Sequence, residues 1–176
     1  MTFVFDPKMR ARPLLVPDSV TIKLEDVESV LHTEIPDVLR SILTTFQGAV
    51  VFDSEVRFHP EVGSFAGSDG RIGLEVVFGL STGFWGILVA NERLAEYLPS
   101  SRFAFASCAG GNSLSFDVDD QAVYLLLHDN PIGREFELVN RNIEDFFTSL
   151  EVSNDQFENQ TIDVKVDLSS FNEGFH

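Results

Sequence analysis

The chain has 176 residues, 44% of them hydrophobic and 23% charged, with 28 acidic side chains against 12 basic ones and a formal net charge of −16. That length supports one sizeable core and is short for two domains, and the apolar content is too high for a disordered chain. So large an acidic excess disfavours nucleic acid and anionic membrane as direct partners, because holding phosphates relies on Lys and Arg, and it favours a basic protein.

Residues 1–18 are expected to form an N-terminal extension. Their basic residues follow the first apolar ones and Asp6 is acidic, the reverse of a secretory signal. The longest apolar run, "FWGILVA", falls far short of the roughly 18 to 20 residues a membrane span needs. A single cysteine forms no internal disulfide, which agrees with a reducing compartment, so a cytoplasmic location is expected.

In "IPDVLRSILTTFQG", Ile35, Val38, Leu39, Ile42, Leu43 and Phe46 recur at three- and four-residue spacing. This predicts an amphipathic helix with Pro36 in its first turn and Gly48 at its end. Leu24, Val27, Val30 and Leu31 predict a shorter helix upstream, packed on the first across Thr33 and Glu34. Beyond Gly48 come β-like runs, "AVVFD", "EVRFH", "RIGLEVVFG" and "FWGILVA", with "GSFAGSDG" as an exposed loop. "NERLAEYL" reads as a brief helix with Asn91 as N-cap.

The stretch "ASCAGGNSLSFDVDDQAVYLLLHDN" reads as a hairpin. Leu114, Phe116 and Val118 alternate with Ser113, Ser115 and Asp117, as in a strand with one wet face, and "AVYLLLH" is apolar enough for an interior strand. Gly-Gly-Asn reads as a tight turn in which Gly110 or Gly111 takes positive φ and Asn112 bonds locally. In "NIEDFFTSL", Asn142 caps a helix whose buried stripe is Ile143, Phe146, Phe147 and Leu150. Helices flanking a predominantly antiparallel sheet make an α+β domain.

Catalytic readings fare poorly. "GLSTG" fits G-x-S-x-G with Ser81 as nucleophile, but that elbow needs a helix after it, and "FWGILVA" reads as a strand. Cys108 lacks a neighbouring base or positive field in the sequence. Asp117, Asp119 and Asp120 miss the spacing of a calcium loop, and the four histidines show no paired metal-ligand spacing. No catalytic residue, metal or cofactor is therefore assigned. Clustered acids at the hairpin, Asp117, Asp119 and Asp120, together with Asp129, are the candidate partner-binding residues, while His128 is expected to order the strand end.

In order and spacing these pieces resemble the SUKH superfamily, which includes yeast cell-wall-synthesis regulators and many bacterial immunity proteins. The resemblance is carried by the helix ending in Phe46, Gln47 and Gly48, by "FAFASCAGGNSLSFDV" with Gly110, Gly111 and Asn112, by "AVYLLLHDN" closing on His128 and Asp129, and by "NIEDFFTSL". It departs from the family pattern at Gln47, Ala49, Leu126 and Leu127. A SUKH-like domain is thus expected over residues 19–150. The resemblance implies a non-catalytic module, monomeric or weakly dimeric, that binds and blocks a toxin, often a nuclease whose basic surface an acidic inhibitor would complement. The alternatives are a scaffold binding a cellular enzyme and a small hydrolase using Ser81 or Cys108.

From Glu151 onward the tail carries six acids and one lysine. Ile162, Val164, Val166 and Leu168 alternate with polar residues there, as an added edge strand or a segment ordered only by a partner.

Overall fold

A computed structural model describes residues 2–14, 19–61, 69–128 and 136–153. Seven strands, β1 (Ala11–Leu14), β2 (Ala49–Phe58), β3 (Ile72–Val77), β4 (Arg102–Cys108), β5 (Ser113–Asp117), β6 (Val123–Leu126) and β7 (Phe136–Asn140), lie side by side in chain order. Every pairing is antiparallel, and β8 (Glu151–Val152) joins the sheet on β2. With helices α1 (Leu24–Leu31), α2 (Asp37–Phe46), α3 (Ile87–Leu94) and α4 (Ile143–Thr148), the architecture is the expected α+β domain.

Residues 2–14 contribute to the core, with Phe5 and Met9 buried, and β1 pairs with the first half of β2 while β8 pairs with its second half. The expected tail strand at 162–168 lies outside the described residues, as does most of the "GSFAGSDG" loop.

The helices follow their apolar spacing. Leu39, Ile42 and Leu43 of α2 and Val27 of α1 are buried, and Glu28 joins the two helices by accepting from the Ile35 N–H (2.9 Å) and pairing with Arg40. Asn142 caps α4 as expected, its side-chain oxygen accepting from Glu144 N–H (2.7 Å) and Asp145 N–H (3.2 Å). Phe146 of α4 then meets Phe58 of β2 and Phe105 of β4 at ring separations of 5.3 and 6.0 Å, which fixes α4 against the sheet.

Four expectations need correction. "AVVFD" and "EVRFH" form one strand, β2, whose pairing with β3 shifts register between Val51 and Val56, so the polar Asp53–Glu55 interval is an irregularity and no break. α2 ends at Phe46, just before Gly48 as expected, with Gln47 taking positive φ (58°). The backbone at Gly48 is where Gly79 crosses, so close that a Cβ on Gly79 would collide with it.

"FWGILVA" is no strand: it opens as a loop, with Trp85 stacked on Phe78, and enters α3 at Ile87. A short apolar run suits a buried helix as well as a buried strand, and here burial of Ile87 and Ala90 decided it. Asn91 consequently lies inside α3 and caps nothing. Its side chain donates to Ile87 O and Ala104 O and accepts from Ala104 N–H, all at 2.8 Å, supplying β4 with a partner where β3 has ended. Finally, the expected wet face of β5 is buried, with Ser113, Ser115 and Asp117 exposed by only 8%, 0% and 6%.

Candidate functional site

The β5–β6 hairpin turns through Val118–Gln121, closed by Gln121 N–H to Asp117 O (2.9 Å) and Asp117 N–H to Ala122 O (3.0 Å), with Gln121 at φ 63°. Its three aspartates have different roles. Asp117 is internal: one carboxylate oxygen accepts from Arg102 Nε (2.6 Å) and Ser101 Oγ (3.3 Å), the other from Asp119 N–H (3.0 Å). Burial pushes its carboxyl upward, but the Arg102 bond and charge and the Asp119 N–H outweigh it and hold the carboxyl below the ordinary value.

Arg102 is held in turn by aromatic faces, 3.7 Å from the Tyr124 ring centre and 4.5 Å from that of Phe136. Asp120 accepts from Ala122 N–H (3.0 Å) and from the Tyr124 hydroxyl (2.6 Å), which with burial raises the Tyr124 hydroxyl above its usual pKa. Asp119 is exposed, and among the described residues its carboxylate has no hydrogen bond or ion pair. Of the candidate partner-binding residues, Asp119 and Asp120 are thus outward-facing, Asp117 is not, and Asp129 lies outside the described residues.

At the other end of the hairpin, both Gly110 (φ 79°) and Gly111 (φ 78°) take the left-handed region. Asn112 donates to Ala109 O (3.1 Å) and accepts from His128 N–H (3.1 Å). One amide thereby ties the Gly-Gly turn to the end of β6, so the sequence-predicted turn residues and His128 do meet.

Around Ser81 the context differs from expectation, since β3 precedes it and α3 follows. Ser81 is nonetheless buried, its backbone bridged to Thr21, and a Cβ on Gly86 would collide with its carbonyl. A serine nucleophile needs a histidine at hydrogen-bond distance; His59 is engaged instead with Gly70 O (3.2 Å) and Arg71 Nε (3.0 Å). Cys108 is fully buried, and burial, with Glu75 adding negative charge, pushes its thiol well above the ordinary range. Among the described residues no three His, Cys, Asp or Glu side chains come together to hold a metal ion, and no helix is long and apolar enough to cross a membrane.

Residues 21–149 match the model of the SMI1 / KNR4 family (SUKH-1). The chain belongs to this family. No curated protein and no solved structure matches it. The matched SUKH-1 span runs from before α1 to the end of α4, while β1 and β8 lie outside it and both add to β2.

Sequence reasoning missed the roles of Arg102 and Tyr124 and misassigned that of Asn91. Register would have found the first: Arg102 and Asp117 are cross-strand partners in the β4–β5 pairing, the one cation and the one anion of their strands.

Proposed function

We propose that this SUKH-1 chain is a non-catalytic immunity protein that binds and neutralises a cognate bacterial toxin domain, basic and of nuclease type, in the cytoplasm. The observation that carries the reading is the construction of the β5–β6 tip. Arg102, Tyr124 and the turn amides fix Asp117 and Asp120, so Asp119 is presented in solvent from a rigid base by a chain of net charge −16. Exposed acids on a preorganised hairpin complement the cationic surface a nuclease uses for phosphates, and ordering them costs the complex little. The burial of Ser81 and Cys108 supports a function by occupation.

Coexpression with basic nuclease toxin domains in bacteria tests this. Growth should be restored with one of them, the two chains should copurify, and Ser81→Ala and Cys108→Ala should protect as well as the parent. Binding without restored growth would instead favour a scaffold. Turnover of a substrate by the purified chain, lost on replacing one polar residue, would overturn the reading.

A further inference from the structure

A cleft of about 540 Å³ opens beside β8, lined by Asp6, Lys8, Arg71, Leu150, Val152 and Ser153 among others. Its walls are fixed. Arg71, just before β3, pairs with Glu151 of β8 (3.1 Å), and Leu150 is buried. The opposite wall is the short turn Pro7–Met9, held on β2 by Ser54 Oγ donating to Lys8 O (2.8 Å) and anchored by the buried Met9.

The charge of that wall is unlike the rest of the chain. Against a net charge of −16, residues 2–14 carry three cations, Lys8, Arg10 and Arg12, and one acid, Asp6, which caps its own turn by accepting from Lys8 N–H (2.8 Å). Arg12 pairs with Asp53 (2.7 Å). Lys8 and Arg10 are exposed, and among the described residues their side chains make no hydrogen bond or ion pair.

The backbone brings an acidic segment to these two cations. Ser153 N–H donates to Glu55 O (2.9 Å), so the β8–β2 ladder runs one residue past Val152. The next places on that edge of β2 are taken, Ser54 by Lys8 O and Asp53 N–H by Arg10 O (3.4 Å). Beyond Ser153 the chain must therefore leave β2 beside the Pro7–Met9 turn, which is in contact with β8. Residues 154–176 carry five acids and one lysine, the nearest acids being Asp155 and Glu158. Two extended residues span roughly 7 Å and five roughly 17 Å, a reach that covers the turn.

We propose that the chain's own acidic tail, from residue 154, docks in this cleft, with Asp155 and Glu158 pairing with Lys8 and Arg10 and Phe157 covering Leu150 and Val152. Exposed ion pairs are individually weak, but a tethered segment meets its site at an effective concentration in the mM range, so a few contacts suffice where a separate partner would need far more affinity. Residues 1–20 and 150–176 both lie outside the SUKH-1 match, so the two added ends, one with open cations and one acidic, serve each other. Docking does not depend on the immunity reading; its consequence there is to screen two cations that would repel a basic partner.

Backbone amide order parameters of the full chain at low salt test this. Residues 155–158 are expected in the rigid range, at about 0.85, and below about 0.6 in Lys8→Glu with Arg10→Glu. Adding Asp155→Lys with Glu158→Lys to that variant should restore the order, and Phe157→Ser in the parent should loosen the same residues. Where the double reversal also unseats the turn, seen as shifted Phe5 and Met9 amides, Asp155→Lys with Glu158→Lys in the parent carries the test from the tail's side. Low order in the parent, parental order in the tail-reversed variant, or order lost on dilution, as for a tail exchanged between two copies, would each overturn the proposal.

Discussion

The side chain of Asn91 holds both backbone polar groups of Ala104, accepting from its N–H and donating to its carbonyl at 2.8 Å. β3 ends at Val77, so this one amide in α3 completes the ladder that a longer strand would otherwise supply. Asn91→Ala leaves two polar groups of β4 without a partner, at a cost of roughly 2–4 kcal/mol. Asn91→Asp keeps the acceptor and loses the donor, so it should fall between the parent and Asn91→Ala in urea midpoint. Parental stability in Asn91→Ala would mean that α3 does not support β4.

The Arg102–Asp117 pair predicts an acid limb in stability. Because the folded pKa of Asp117 lies below the ordinary carboxylate value of about 3.9, its stabilisation is complete above that value and is lost as pH falls through the folded pKa. Asp117→Asn should be less stable at pH 7 and should lose less on acidification. Arg102→Ala, which strands a carboxylate 8% exposed, should cost roughly 3–5 kcal/mol at neutral pH. Equal slopes for parent and Asp117→Asn in urea melts between pH 6 and 2, on the order of the ordinary carboxylate range, would place the acid sensitivity elsewhere.

These residues show where the sequence was legible and where it was not. α2 and α4 were readable because their signals are local: apolar spacing, and for α4 an Asn cap whose partners are two and three residues away. The roles of Asn91 and Asp117 depend on groups 13 and 15 residues away in the chain. An asparagine before a charged run looks like a cap until the preceding turn is known to be helical. An alternating serine or aspartate looks wet until something is known to cover it. Of the candidate site, the turn and its acids were visible and their division into internal and outward carboxylates was not, because a cross-strand arginine makes it.

Phe146 is the ring on which α4 and the sheet converge, 1% exposed and in contact with Phe58, Phe105 and Phe147. Phe146→Ala should cost roughly 3–5 kcal/mol through lost transfer energy and the cavity left behind. Phe146→Leu retains part of that volume and should cost less. An unchanged melting temperature for the alanine variant would mean that α4 does not dock on this face.

Steering assigns different effects to two adjacent acids. Asp119→Lys reverses an exposed charge whose side chain holds no part of the turn, so it should slow association with the toxin several-fold at low salt and flatten the salt dependence, with dissociation little changed. Asp120→Lys also removes the acceptor of Tyr124 and Ala122 and should lower the melting temperature as well. Stopped-flow association rates for Asp119→Lys that track the parent from low to high salt would remove the hairpin from the steering surface.

Cys108 separates occupation from thiol chemistry. A nucleophile must be a thiolate and must be reachable, and Cys108 meets neither condition: it is fully buried, and burial with the Glu75 charge pushes its pKa upward, so the neutral thiol persists at physiological pH. A disulfide reagent added to the native chain should therefore react only through the small open population, while the denatured chain should titrate its single thiol at once. Destabilising the core with Phe146→Ala should accelerate native labelling about tenfold for each 1.4 kcal/mol of stability lost, because the rate reports the open population. Labelling of the native parent as fast as of the denatured chain would expose a reactive thiol and bring the hydrolase reading back.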